Sequence, residues 1–482
     1  MFEKLVKWIK GVVNKMLGKE SVEEALDINL AISSDMVNAI TLWENVYRNK
    51  APWLKKDEIV SLELGSSISN EFARLTTLEM TSEITGSERA KFLNEIYKKL
   101  LENLNDNLEI GNAVGGLIFK PYVVGKTLKI DYVKASDFLP VEYDDSKNII
   151  AGIFTSQIAK GEYIYTRLEY HKFIANEPNN DNYYIRNIAY KSKDFNNLGD
   201  RISLKEVEEW SSIEEITVIK FVDRPLFSYY KPPIANNIDI ESPIGMSVFS
   251  RAIDLIKEAD TQFGRILWEY EASEKAVFVD ELAIKTKIKN VFDIAKLKDR
   301  LFKKLDTGKD DFFKDYSPEI RDEELWRGLN KILQRIEFVV GLAYGTLSEP
   351  NTVDKTATEI KSSKQRSYAT VSRMQENLQK ALENLVYSMN VMADLYKLTP
   401  KSENYEVSFN WDDSLVVDAE KEQTLQMQEV NQGLRSKVKY IMYRYGLTEE
   451  QAKEELEIIQ QEKISNQEAF GFINNDDNKD EE

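Results

Sequence analysis

Side chains able to do covalent chemistry are scarce in this sequence. There is no cysteine, which removes thiol nucleophiles, disulfides, iron–sulfur clusters and cysteine zinc sites. His171 is the single histidine, so a Ser-His-Asp triad and multi-histidine metal sites are not expected. It lies in Leu168-Glu-Tyr-His-Lys-Phe173, an alternating stretch that reads as a strand, and it is expected to be an ordinary strand residue. Gly125-Lys126-Thr127 has the end of a phosphate-binding loop but not its start, because Lys120 stands where the first glycine belongs and Pro121 follows. The tripeptide reads instead as a hairpin turn. Carboxylates are plentiful, but no spacing sets an acid/base pair apart from a solvated helix surface. No catalytic residue, metal site or cofactor is expected, and a structural or binding protein is the default.

Positive charge is the one chemically directed pattern. The chain of 482 residues carries 64 Lys+Arg against 82 Asp+Glu, a net charge of −18. Yet Lys285, Lys287, Lys289, Lys296, Lys298, Arg300, Lys303 and Lys304 face only Asp293 and Asp299 within 284–304, a local balance of +6. Arg327, Lys331 and Arg335 fall at i, i+4 and i+8, one stripe on one helix face. Lys355, Lys361, Lys364, Arg366 and Arg373 accompany Glu359 alone at the start of a long helical pattern. Solvated faces and salt bridges between subunits would account for such clusters. The functional alternative is contact with a polyanion or an acidic partner. A negative body with local positive patches suits something that nucleic acid passes through without sticking.

These residues need elements to hold them. Residues 2–17 form a basic amphipathic pattern, with Phe2, Leu5, Val6, Ile9, Val12, Val13 and Met16 opposite Lys4, Lys7 and Lys15. Nothing there resembles a signal peptide and no run of 18 apolar residues exists, so an intracellular chain without a membrane span is expected. Residues 21–110 read as helical, with a capping box at Ser21-x-x-Glu24 and helices near 33–48, 65–83 and 87–108. Composition shifts at Gly111, and 111–225 alternate with period two between polar turns, as an antiparallel β region does. Ser242 and Pro243 look like the N-cap and first residue of a helix reaching about Ser273. A β-like stretch Ala276–Val279, a helix from Asp322 to Tyr344 with a Leu325, Leu329, Ile332, Ile336, Val339 stripe, and a loop Gly345–Asp354 come next. Thr356-x-x-Glu359 opens the longest helix, striped by Ile360, Tyr368, Val371, Met374, Leu378, Leu382, Leu385, Met389, Met392 and Leu395 over about 40 residues, or ~60 Å. A strand at Tyr405–Phe409, helix over 418–470 with Thr448-x-x-Gln451 as a cap, and a polar acidic tail Asn474–Glu482 complete the chain. The class is α+β.

Arg321-Asp-Glu-Glu-Leu-Trp-Arg-Gly-Leu-Asn-Lys-Ile-Leu-Gln-Arg-Ile-Glu-Phe-Val-Val-Gly-Leu-Ala-Tyr-Gly-Thr-Leu-Ser348, followed by Lys355-Thr-Ala-Thr-Glu-Ile360, resembles the portal proteins of tailed bacteriophages, those of long-tailed phages and prophages of Gram-positive hosts. Trp43-x-x-x-Tyr47 with Ala51-Pro-Trp53, and Ser242-Pro-Ile-Gly-Met-Ser247, add to the likeness, which runs nearly end to end. These are packing and turn residues, specific in combination and order.

The resemblance implies an elongated subunit with a helical stem, a long channel helix, a β-rich wing and a helical C-terminal crown. Mapped by order, the wing takes 1–235 (helical to 110, β-rich from 111), and the stem helices take 236–273 and 321–344. The clip takes 274–320, the tunnel loop 345–355 and the long helix 356–400. A strand at 401–415 returns to the wing, 416–470 form the crown, and 471–482 are a disordered acidic tail. It further implies a homo-oligomeric ring, a dodecamer in the capsid, at one vertex of the virion after assembly in the host cytoplasm. Double-stranded DNA passes through it, with terminase, a head–tail connector or adaptor, and major capsid and scaffolding proteins as partners. On this reading Ser348, Asn351, Thr352 and Lys355 belong to the loop at the channel, and Arg327, Lys331 and Arg335 to the stem. Lys285, Lys287, Lys289, Lys296 and Lys298 meet partners at the clip. The competing class is a membrane-peripheral or coiled-coil scaffold, carried by the basic N-terminal helix and the long striped one.

Overall fold

The computed structural model describes residues 19–55, 59–175, 182–195, 197–274, 276–280, 302–305, 313–316, 319–349, 357–399, 404–411, 426–445 and 451–459. The expected N-terminal helix, the basic residues 285–300, the loop residues Asn351, Thr352 and Lys355, the caps Thr356 and Thr448, and the acidic tail lie outside these residues.

Residues 1–411 make one compact unit and 412–482 a second. The first opens with helices Lys19–Leu26 (α1), Ser34–Tyr47 (α2) and Leu64–Thr77 (α3), strand Met80–Thr85 (β1), and helices Glu88–Glu102 (α4) and Leu104–Val114 (α5). Ser21 lies inside α1 and caps nothing there. The working caps are Ser33 and Ser87, whose side chains accept from the Met36 and Ala90 amides. The expected helix over 65–83 ends at Thr77, because Met80–Thr85 pairs antiparallel with Glu406–Trp411 (β14), Ser82 opposite Phe409. That partner is more than 300 residues away, so the local sequence gives no sign of it.

Two antiparallel sheets follow. Leu117–Val124 (β2) and Thr127–Lys134 (β3) form a hairpin closed by Gly125 and Lys126, with Val124 opposite Thr127 and a positive φ at Gly125. This is the turn expected in place of a phosphate loop. Ser228–Tyr230 (β10) adds to the free side of β2. The larger sheet runs Phe138–Tyr143 (β4), Ile149–Lys160 (β5), Tyr163–Phe173 (β6), Tyr183–Ser192 (β7) and Asp200–Ile202 (β8), with Ile216–Ile219 (β9) also on β7.

The helix expected from Pro243 starts ten residues later, at Ile253–Ala272 (α6). Tertiary contacts consume the intervening backbone. The Ser242 hydroxyl donates to the Ala31 carbonyl at 2.9 Å, the Gly245 amide donates to the Tyr229 hydroxyl at 2.9 Å, and the Val248 amide donates to the Asn112 carbonyl at 2.9 Å. Gly245 also lies directly on the backbone of Gly115, where neither position has room for a Cβ. Ala276–Asp280 (β11), Phe302–Leu305 (β12) and Phe313–Tyr316 (β13) make a small mixed sheet, with β12 parallel and β13 antiparallel to β11.

Helix Asp322–Val340 (α7) stops four residues before the expected Tyr344, at Gly341 in the left-handed conformation. Helix Ala357–Leu395 (α8) spans 39 residues, ~58 Å. Val371 and Met374 join the core under the larger sheet, while Leu378, Leu382, Leu385 and Met389 fill a second core with Leu93, Tyr97 and Phe119. Leu395, the expected end of the stripe, is exposed. The second unit contains helix Lys437–Tyr445 (α9) and helical residues 426–431 and 451–459.

Candidate nucleic-acid interface

The basic stripe sits on a helical pair. α6 and α7 pack antiparallel, with Leu329 and Ile336 of α7 buried and Leu325, Ile332 and Val339 partly so. At one end the Arg321 guanidinium makes a bidentate pair with Glu269 at 2.9 and 3.1 Å. That contact holds the Glu269 carboxyl below the usual carboxylate range. Trp326 donates its indole N–H to the Tyr270 hydroxyl at 2.9 Å and meets Phe263 edge-on. Nearer the other end, Asp260 accepts from the Trp53 indole and the Leu62 amide, both at 2.8 Å. The Ala51-Pro-Trp53 segment is thus an anchor for α6.

This packing leaves Arg327, Lys331 and Arg335 exposed together on the outer face of α7. They are ~6 Å apart per step along the axis. Lys331 reaches Gln334 at 3.1 Å, and the Arg335 guanidinium lies 5.0 Å from the centre of the Phe338 ring. In the single chain the stripe is exposed to solvent.

Ser348 is placed differently from the expectation. It is buried, its hydroxyl donates to Glu337 Oε2 at 2.9 Å, and its amide donates to Oε1 at 2.8 Å. The Gly345 and Leu347 amides donate to the same Oε1 at 3.1 and 2.6 Å. Glu337, itself fully buried, gathers the start of the loop back onto its own helix, and the Ser348 hydroxyl and amide are both committed to it. Of the other loop residues and the clip lysines, Asn351, Thr352, Lys355, Lys285, Lys287, Lys289, Lys296 and Lys298 lie outside the described residues.

Sequence reasoning missed Glu337. The signal was present, since Glu337 falls eight residues after Leu329 and three before Val340, on the apolar face where a carboxylate is out of place. His171 is a strand residue, as expected. That imidazole is buried in β6 against Phe154 and Phe227, with Nδ1 2.7 Å from the Tyr183 hydroxyl and Nε2 2.9 Å from Glu169 Oε1. Glu169 Oε2 also accepts from Lys120 of β2 at 2.7 Å and from Arg167 at 3.0 Å. Burial raises the Glu169 carboxyl, yet Lys120, His171 and Arg167 pull it well below the usual range. Burial depresses His171, with Glu169 opposing. The cluster ties one sheet to the other through Lys120.

Among the described residues no group of acidic or histidine side chains is placed to hold a metal ion, and no helix is long and apolar enough to cross a membrane.

The family profile described as "Phage portal protein, SPP1 Gp6-like" matches residues 31–469. The chain belongs to this phage portal protein family. Family membership implies a ring-forming component of a phage particle. The match takes in β1, both antiparallel sheets, α6, α7, α8 and β14. Among solved structures, a chain described as "Neck of empty GTA particle computed with C6 symmetry" aligns at 9% identity with a TM-score of 0.44, covering 83% of this chain and 92% of that one. No curated protein matches the sequence.

Proposed function

We propose that this protein assembles as a ring at one vertex of a phage capsid. The ring is the conduit through which terminase packages DNA, through which the genome later leaves, and on which head–tail connector proteins dock. The observation that carries the reading is the family match over residues 31–469. The exposed row of Arg327, Lys331 and Arg335 supports it, because a duplex that must slide needs spaced cations in an acidic body instead of a tight cleft. Each phosphate neutralised adds about 0.9 to the salt slope of affinity, so a few contacts per subunit leave binding weak at physiological salt. The wing, stem, clip, tunnel loop and crown follow the chain order given above, with the first stem helix shortened to α6 and the second to α7. The basic clip residues then meet an acidic partner surface or entering DNA, and the distal loop residues Asn351, Thr352 and Lys355 touch phosphate.

Electron microscopy of the purified full-length protein tests the reading. Rings with an axial hole are expected. A protein that stays monomeric across the concentration range, alone and with scaffolding protein, would refute it.

A further inference from the structure

Phe338 lies near the C-terminal end of α7 and keeps 41% of its surface exposed. Two guanidiniums from different helices converge on its ring: Arg335 at 5.0 Å and Arg366 of α8 at 4.2 Å from the ring centre. α7 ends at Gly341, which abuts Thr370, so the turn after Phe338 is pressed onto α8 one turn beyond Arg366. Val340, Leu342, Val371 and Met374 belong to the same hydrophobic core. The approach of Gly341 to Thr370 therefore brings the end of α7 to the part of α8 that carries Arg366.

Like charges so placed repel. The ring distances hold the two guanidiniums within roughly 10 Å of each other, about one Debye length at 0.1 M salt. Among the described residues neither has a carboxylate partner. The negative face of the ring offsets part of the repulsion. An anion set between the two forks would offset more, and guanidinium matches the tetrahedral oxygens of a phosphate bidentately. Lys331 and Arg327 continue the positive line along α7. Arg327 to Arg335 covers ~12 Å of helix axis, the rise of three to four base pairs.

We propose that Arg335, Phe338 and Arg366 form a phosphodiester-binding platform on which duplex DNA bears, with Lys331 and Arg327 as its extension. The proposal rests on the portal reading for its ligand, and names where each subunit touches it. The half-exposed ring holds both forks near one point of the surface, so contact is made and released without a side chain burying itself.

The test uses the full-length protein and a short fluorescent DNA duplex, with affinity followed across a salt series. R335Q/R366Q is expected to lower the slope of log affinity against log salt by about 0.9 for each subunit in contact with the duplex, one phosphate being held between the two forks. R335K/R366K keeps the charge and loses the fork, so its slope should hold while affinity drops several-fold. F338L should likewise weaken binding at unchanged slope. An unchanged slope in R335Q/R366Q overturns the platform. So does a loss of rings in that variant with duplex binding intact, since the cluster would then be a contact between copies. Should unmodified protein form no rings yet bind duplex with the slope set by these two arginines, the platform stands and the portal reading falls.

Discussion

Removing the Glu337 carboxylate should release the segment that follows α7. Its Oε1 accepts three backbone amides, those of Gly345, Leu347 and Ser348, and its Oε2 takes the Ser348 hydroxyl. In Glu337→Ala all four donors lose their acceptor. Gly345 is exposed and rehydrates at little cost, whereas Ser348 is buried and Leu347 is half-buried. Leaving two such amides unsatisfied costs about 1–3 kcal/mol each. Local opening of residues 345–348 therefore becomes cheaper by about 2–6 kcal/mol, a factor of roughly 30 to 20,000 at 1.4 kcal/mol per tenfold. Glu337→Gln keeps one carbonyl oxygen in place and loses the charge assistance, so it should fall between the two at about 1–2 kcal/mol. Hydrogen exchange at the Leu347 and Ser348 amides reads this directly, because protection there reports local opening instead of global unfolding. Wild-type protection at both amides in Glu337→Ala would show that the carboxylate does not hold the segment. The same contacts mean that a loop deletion meant to test a DNA grip should begin after Ser348.

Acid should destabilise the β-rich part of the protein in two stages. The unfolded chain takes up a proton at histidine near pH ~6.5, whereas the depressed folded value of His171 resists it, so stability falls as pH drops below ~6.5. The Glu169 contribution is present above the unfolded value of ~4.3 and is lost as pH falls through its lower folded value. Urea midpoints measured from pH 7 to 5 should decline, and H171Q should flatten that segment; the same slope in H171Q would refute the account. Gly341→Ala must place a Cβ 2.8 Å from Thr370 Oγ1 at a φ of +90°, and should cost at least ~1–2 kcal/mol in chemical denaturation. Adding Thr370→Ala should recover the steric part alone, and full recovery would argue against backbone strain. Reversing Lys285, Lys287 and Lys289 to Glu should leave rings intact and abolish capture of terminase or connector, with unchanged capture of both marking a merely solvated face.

Among the described residues the amino-acid sequence by itself determined the class of most of the longer elements, because period and composition are local properties. The 39-residue helix α8 was legible from steps of three and four, the Gly125 hairpin from its turn residues, and the β-rich region from alternation. The order of Trp43, Trp53, Ser242 and the Arg321–Ser348 stretch was enough to point to the portal family. The stripe Arg327, Lys331, Arg335 was also readable, since three cations at i, i+4 and i+8 share a face in any helix. Contacts between distant segments decided the rest. β1 is a strand because β14 pairs with it, residues 243–252 stay out of α6 because Ala31, Tyr229, Asn112 and Gly115 claim that backbone, and Ser348 is buried because Glu337 is. Phe338 became a meeting point of two arginines only when the turn at Gly341 brought α8 against α7. Hydrogen bonds and ring contacts of this kind act over a few ångströms in space and carry no trace in sequence spacing, so periodicity finds the elements while the tertiary structure chooses which side chains remain free to bind.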